Sequence, residues 1–428
     1  MKKVFMVFVL IMTVFIFVSC GSTNVYRINI ENKEKQMIEI GGGWETETDV
    51  CMNNVNTYAI TNSKDHTGRG VGQSRLYVKD HSGKETVKKL DDFYASKIFC
   101  MNDGKIFIGG YTKDKGKSYS FISKYESDGT LIWGKTLILN ESDSDTEFVS
   151  AITASKDAVY IASQYLEGKD GSKFWDNFII AKLDSNGSLL WKSVEGSNNS
   201  QHDQVGAVFL DKSNQLYVSG ITEGNLYGNH SGEKCSEVYS DTDYIFDIEY
   251  PCGETFIAVF SSEGKKLIQK QYPTLNEVYS MVAGDGKIAV AGSLNGNYAV
   301  QFFGADTLIS VSEIIVDEAR DISRCTSVGF DGENFYFAGT KMVDKSRLYT
   351  VKGRSFFNKE YSAKKRKDAR SVWYETKYVS VATFVYKLKN NSQIEQLFYK
   401  TRDVAANSPK IIVEDKKVFL AGLFWIEK

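Results

Sequence analysis

The chain has 428 residues, of which 42 % are hydrophobic and 25 % charged, and its formal net charge is -2. Such a chain can bury a sizeable core, which excludes an intrinsically disordered protein and a multi-span membrane protein. A balance this close to neutral gives no general attraction for nucleic acid, because non-specific phosphate binding needs a large positive excess.

In chain order, the first segment is a leader. Lys2 and Lys3 precede an uncharged run from Val4 to Val18. The run is shorter than the about 20 apolar residues of a spanning helix and closes on small residues, as a processing site does. Residues 1–19 are therefore expected to be a signal peptide. The segment Phe17-Val18-Ser19-Cys20-Gly21 resembles a bacterial lipobox, with Phe17 where leucine is usual. That resemblance implies an acylated Cys20 as the first mature residue. Several acyl chains, at about 0.8 kcal/mol per buried methylene, make such an anchor stable. Residues 20–24 would then be a tether of at most about 14 Å, holding one domain, residues 25–428, against a membrane of the cell envelope, either the outer membrane or the cell surface.

Five cysteines remain: Cys51, Cys100, Cys235, Cys252 and Cys325. An odd number leaves at least one thiol unpaired in an oxidising compartment. Cys235 and Cys252 share one loop and are the first candidates for a disulfide. Cys51 and Cys100 stand about one repeat apart and could bridge neighbours or remain buried thiols.

From the first β-like segment onward, one pattern recurs: an apolar alternating run that closes on small residues. Its copies are Tyr58–Thr61, Ile106–Gly110, Val159–Ser163, Leu216–Gly220, Ile288–Gly292, Phe335–Gly339, Tyr378–Ala382 and Val418–Gly422. Period-2 alternation rich in β-branched and aromatic residues is a strand signal, and the small closing residues suit a site where backbones crowd, such as the strand next to a propeller's axis. Tight turns such as Asn102-Asp103-Gly104 and Gly284-Asp285-Gly286 precede copies, and a second hairpin follows them. The clearest outer hairpins are Phe121–Trp133 and Phe178–Trp191, each with a tryptophan four residues after its turn glycine. Weaker ones are Phe256–Ile268, Tyr298–Ile309, Leu348–Phe357 and Phe384–Phe398.

Two hairpins per repeat make a four-stranded blade, so the fold expected is all-β, a β-propeller of four-stranded blades. Eight copies favour eight blades, with seven as the alternative if one copy is spurious. The segments Val25–Ile30 and Gln36–Ile40 form an orphan outer hairpin, and the chain stops soon after the last copy. The ring is therefore expected to close by pairing of this N-terminal hairpin with the C-terminal strands. The stretch Asp176–Trp191 resembles the bacterial seven-bladed propeller repeat called SBBP, and the Asp-Gly-x-Leu-x-Trp element more distantly resembles repeats of pyrroloquinoline-quinone propellers, including the lipoprotein propeller of outer-membrane assembly.

No linear catalytic or metal motif stands out. His66, His81, His202 and His230 are scattered, Gly228–Gly232 has its serine misplaced for a nucleophile elbow, and Gly68-x-Gly70-x-Gly72 lacks the spacing of a dinucleotide fingerprint. No catalytic residue, metal or cofactor is expected. The alternating Glu141, Asp143, Asp145 and Glu147 fit a solvated acidic turn better than a calcium loop. The basic stretch from Lys352 to Arg370 fits an inter-blade loop first and anionic lipid headgroups second. The longest insertion, about residues 223–254, mixes carboxylates with aromatics, a composition suited to a binding face. Its candidate contact residues are Tyr227, Tyr239, Asp241, Asp243, Tyr244, Asp247 and Tyr250.

These readings point to an envelope lipoprotein whose propeller binds an unknown protein or glycan without catalysis, held to the membrane by its N-terminal lipid. Two other classes stay open: a quinone-dependent or hydrolytic propeller enzyme, whose site leaves no linear motif, and a scaffold in outer-membrane protein assembly.

Overall fold

The computed structural model describes residues 23–423 apart from 33–34, 41–44, 55, 65–70, 91–92, 141–145, 168–174, 198–201, 229–230, 233, 242–243, 252, 295–296, 316–323, 356–371, 390–392, 403–406 and 415. Every regular element among them is a β-strand. The chain opens on β1 (Thr23–Asn29) and β2 (Lys35–Ile40). Blade 1 is β3 (Glu45–Met52), β4 (Asn56–Lys64), β5 (Val71–Asp80) and β6 (Glu85–Leu90). Blade 2 is β7 (Tyr94–Cys100), β8 (Ile106–Asp114), β9 (Lys117–Tyr125) and β10 (Leu131–Leu137). Blade 3 is β11 (Thr146–Ala154), β12 (Ala158–Glu167), β13 (Trp175–Asp184) and β14 (Leu189–Glu195). Blade 4 begins with β15 (Asp203–Leu210) and β16 (Leu216–Thr222), is interrupted by the separate hairpin β17 (Lys234–Asp241) and β18 (Tyr244–Pro251), and ends with β19 (Glu254–Phe260) and β20 (Lys266–Tyr272). Blade 5 is β21 (Glu277–Gly284), β22 (Lys287–Leu294), β23 (Asn297–Gly304) and β24 (Ser310–Ile315). Blade 6 is β25 (Arg324–Phe330), β26 (Phe335–Ser355), β27 (Val372–Lys389) and β28 (Gln393–Arg402). Blade 7 joins β29 (Asn407–Glu414) and β30 (Lys417–Leu423) to β1 and β2 in one antiparallel sheet.

The ring therefore has seven four-stranded blades, not the eight favoured from the count of copies. The surplus copy is Tyr378–Ala382. It lies in β27, the third strand of blade 6, where it pairs with an elongated β26: Tyr349 faces Tyr378 and Met342 faces Val381. Its alternation belongs to a long hairpin, and the weak outer copy Leu348–Phe357 falls on that same elongation as far as Ser355; Phe356 and Phe357 lie outside the described residues. The outer hairpin of blade 6 is the Phe384–Phe398 copy.

Seven apolar clusters hold the ring, one at each seam between successive blades. The seam between blades 2 and 3, for example, packs Phe107 and Ile122 against Val149, Ile161 and Ile179. Closure comes from Ile38 and Ala421 of blade 7 against Val50, Ala59 and Tyr77 of blade 1. At the seam of blades 1 and 2, Cys51 of β3 and Cys100 of β7 form a disulfide with Cα atoms 5.8 Å apart. Cys325 is a buried free thiol, pushed up to about 12 by its apolar surroundings. Cys252 lies outside the described residues, and the register places Tyr250 opposite Cys235.

The first strands touch each other around the ring, from β3 through β7, β11, β15, β21, β25 and β29 back to β3, so they line the axis. The repeated small-residue strands are thus the second strands, not the axial ones. Their small residues answer a bulge: all seven first strands skip a residue against their partner, between Ala95 and Lys97 in β7 and between Val278 and Ser280 in β21, for instance. The displaced backbone leans on the second strand. A Cβ on Gly110, Gly220 or Gly292 would collide with the carbonyl oxygens of Tyr94, Gln204 and Glu277 respectively.

The Asp-Gly-x-Leu-x-Trp element is a lock between blades. In blades 2 and 3 an outer bulge skips Ile132 and Leu190, turning those residues outward and returning the next residue, tryptophan, to the seam. Trp133 Nε1 donates to the Ser185 carbonyl of blade 3 at 3.0 Å, and Trp191 Nε1 donates to the Ser262 carbonyl of blade 4 at 3.0 Å. Each indole lies against the next blade's turn glycine, Gly187 (φ 77) and Gly264 (φ 83), where a side chain has neither the room nor the backbone conformation. Trp191→Ala is expected to lower unfolding free energy by about 3 kcal/mol. Leu190→Ser, at a position 55 % exposed, is expected to change it by less than about 0.5 kcal/mol. Urea midpoints of the two variants check this, and equal losses would show that the indole does not lock the seam.

Candidate binding face

In an antiparallel blade the second strand ends, and the third begins, on one face of the ring. Two hairpins grow from that face: β17–β18 from blade 4, and the elongation of β26 and β27 beyond Thr340 and Thr383 from blade 6.

The blade 4 insertion is fastened at both ends by one side chain. Gln271, in β20 and 3 % exposed, accepts from the Leu226 and Tyr227 amides through Oε1, at 3.1 Å each. Its Nε2 donates to the Gly224 carbonyl at 2.8 Å and to Glu254 Oε2 at 2.6 Å. Every hydrogen-bonding position of the amide is filled. The other oxygen of Glu254 accepts from the Ser231 amide at 2.7 Å. The outgoing and returning stems are thus tied to the same buried pair, and Glu223 adds a backbone donation to the His202 carbonyl.

Tyr227 belongs to this fastening. Its ring stands edge-on to Phe256, with centroids 5.8 Å apart, and under the Lys266 ammonium at 5.0 Å. Its hydroxyl donates to Glu195 Oε2 at 3.4 Å, and Lys266 pairs with that same oxygen at 2.7 Å. Burial first, then the negative charge of Glu195, hold the phenol far above its ordinary value. The remaining candidates lie on the hairpin: Tyr239 and Asp241 in β17, and Tyr244, Asp247 and Tyr250 in β18. The register sets Asp241 opposite Tyr244 and Val238 opposite Asp247. Asp243 lies outside the described residues. Sequence reasoning did not find Gln271, Glu195 or Lys266; the only sign was a glutamine at an inward position of an alternating outer strand.

Two more acids are buried on this face. Glu147 (3 % exposed) takes a hydroxyl bond from Ser163 and the Asn140 amide. Asp203 (fully buried) takes the Ser197 amide. Both occupy the connection between one blade and the next, and desolvation is the leading cause raising the affinity of each for its proton. Glu147 is therefore a seam residue, while Glu141, Asp143 and Asp145 lie outside the described residues, as do His66 and His230. Among the described residues no group of three His, Cys, Asp or Glu side chains is placed to hold a metal ion.

With this geometry in hand, residues 102–131 match a family model described as a domain of unknown function, DUF5122 beta-propeller. The stretch runs from the turn before β8 to the start of β10. The chain is similar in structure to the Dos1 propeller, at 12 % identity and TM-score 0.47, covering 93 % of this chain and 80 % of that one. It is similar to a hypothetical selenium-binding protein from Sulfolobus tokodaii at 9 % identity and TM-score 0.49, covering 89 % and 91 %. Similarity to the polysaccharide lyase Uly1 is 10 % identity and TM-score 0.47, covering 76 % and 82 %. No curated protein matches the sequence. The protein is a seven-bladed β-propeller.

Two outcomes are expected. Gln271→Ala should free the insertion stems while the ring stays folded, seen as faster amide hydrogen exchange at Leu226 and Tyr227 than in the strands of the other blades, with a lowered but still cooperative melting transition; protection equal to wild type would refute the fastening. For Glu147 and Asp203, the folded state keeps protons that the unfolded chain has already released. Stability is then greatest where both are protonated and falls as pH rises from the ordinary carboxylate value through the raised native one. Glu147→Gln combined with Asp203→Asn should flatten that fall in urea midpoints taken from about pH 4 to pH 7.

Proposed function

We propose that this propeller is an envelope lipoprotein that captures a partner protein bearing a basic surface through the β17–β18 hairpin of blade 4. The observation that carries the reading is the fastening of the insertion by Gln271 and Glu254. Buried polar groups cost free energy unless fully hydrogen-bonded, and here a complete set holds both stems of a segment that contributes no strand to the blade. A merely decorative loop needs no such base. The sequence from Lys234 to Pro251 carries Glu237, Asp241, Asp243, Asp247 and Glu249 among Tyr239, Tyr244, Phe246 and Tyr250, with Lys234 as its one cation. Carboxylates steer a cationic partner, and tyrosines supply rigid contact area with a polar tip.

Export and anchoring are supported by the leader, by the Ser19-Cys20-Gly21 junction and by the Cys51–Cys100 disulfide, since such bonds persist in oxidising compartments.

Replacing residues 234–251 with a short Gly-Ser linker should remove the partner's crosslinks in living cells while the protein stays in the membrane fraction. Mass spectrometry of the crosslinked species reads the result. Crosslinks identical to those of wild type would assign capture to another part of the ring.

A further inference from the structure

The start of β1 and the blade 6 hairpin stand on the same face of adjacent blades. β1 is the third strand of blade 7, so Thr23 stands on the face where second strands end, as its pairing shows: Val25 lies opposite Leu423 at the end of β30. Blade 6 is the neighbour of blade 7, and β26 touches β29. From the Thr340–Thr383 pair, β26 and β27 continue on that same face to the Ser355–Val372 pair. On the β27 side this is a reach of about 36 Å at strand rise. Cys20 is only three residues from Thr23, a span of at most about 11 Å. An acylated Cys20 therefore brings a bilayer closer to blade 7 than the adjacent hairpin is long.

That hairpin has the composition of a membrane-surface element. Its described strands beyond Thr340 carry Lys341, Lys345, Arg347, Lys352, Arg354 and Lys377 against Asp344 and Glu375, and they include Tyr349, Trp373, Tyr374 and Tyr378. Arg354 pairs opposite Trp373, and Tyr349 opposite Tyr378. Cations with interfacial aromatics suit anionic headgroups. The rest of the basic stretch, Lys359 to Arg370, lies outside the described residues. The acidic hairpin springs from blade 4, three blades away from blade 7, where an anionic surface repels it from the bilayer.

We propose that the β26–β27 hairpin is a second membrane contact, binding anionic phospholipid headgroups beside the acylated N-terminus and tilting the ring so that blade 4 points away from the bilayer. This rests on the lipoprotein reading, and the two are separable. The intact mass of the mature protein reports the acyl group by itself. Flotation of a Cys20→Ala variant, which cannot be acylated, on phosphatidylcholine vesicles with and without one quarter phosphatidylglycerol reports the hairpin free of acyl insertion. Its binding should favour the anionic vesicles at low salt on the order of a hundredfold and lose that preference near 0.5 M NaCl. Adding Lys345→Gln, Arg347→Gln, Lys352→Gln and Arg354→Gln should abolish the preference, while adding Arg347→Lys with Lys352→Arg should keep it. Equal binding of the Cys20→Ala variant to both vesicles, or an anionic preference that survives the four-fold neutralisation, overturns the proposal. A mature mass without acyl groups overturns the anchor reading and leaves the vesicle comparison to decide the hairpin.

Discussion

The closing seam is the constraint on which the rest of the molecule depends. Six seams join blades that follow one another along the chain; the seventh joins blade 7, assembled from both ends of the chain, to blade 1. Its apolar cluster is small, with Ile38, Val50, Ala59, Tyr77 and Ala421 as its buried members. Polar contacts supplement it. Asp49 Oδ1 pairs with Lys410 of blade 7 at 3.0 Å, and Oδ2 accepts from the Ile98 amide of blade 2 at 3.0 Å, so one carboxylate ties three consecutive blades at the axis. The same device recurs with hydroxyls: Ser280 accepts from the Val328 amide and Ser327 from the Ile411 amide, each reaching the first strand of the next blade. Without closure, blades 7 and 1 would each expose a sheet face to water.

Closure also explains why the repeat is spelled as it is. Seven inner bulges bend the first strands into the axis, and each bulge crowds the second strand at one point. Glycine there in most blades, with Ser163 in blade 3 and Thr61 in blade 1, is the trace that bulge leaves in the sequence, which made the second strands the easiest elements to recognise. Crowding was legible, but its source was not, because a run of small residues does not say whether the pressing backbone lies toward the axis or away from it. The false eighth copy has the same root. Tyr378–Ala382 has the alternation of a paired strand and a small last residue, yet it lacks the tight turn that precedes Ile106 and Ile288. Trp373 to Lys377, immediately before it, is simply more strand. Strand pattern is local; blade position depends on where the turns are.

The candidate site was legible in part for a similar reason. An insertion rich in tyrosine and carboxylates stands out against a regular repeat. Its fastening does not, because Gln271, Glu195 and Lys266 sit on ordinary strands, with separations of 71 residues between Lys266 and Glu195 and 45 between Gln271 and Leu226. Only the fold brings those groups together. Tyr227 shows the ambiguity most clearly: a tyrosine in a loop reads as a contact residue, but here its ring is a wedge between blades 3 and 4, held by Phe256 and Lys266.

Both hairpin extensions grow from the same face, and the seams give the reason. On the opposite face the turns between third and fourth strands are themselves seam contacts. The Ser127 carbonyl accepts from Asn56 and Tyr58 of blade 1, Ser185 from Trp133 and Lys124, and Ser262 from Trp191 and Lys182. Gly129, Gly187 and Gly264 press on the preceding blade at a positive φ that few other residues adopt. An insertion in such a turn would pull the acceptor away from its tryptophan and open the seam beneath. In blade 4 the connection between second and third strands is fastened at its base by Gln271 and Glu254 of the same blade, so chain can be added beyond that base at the cost of ordering the added segment. A ring locked by its turns on one face leaves the other face free to grow, and that is where this chain carries its most unevenly charged sequence, acidic on blade 4 and basic on blade 6.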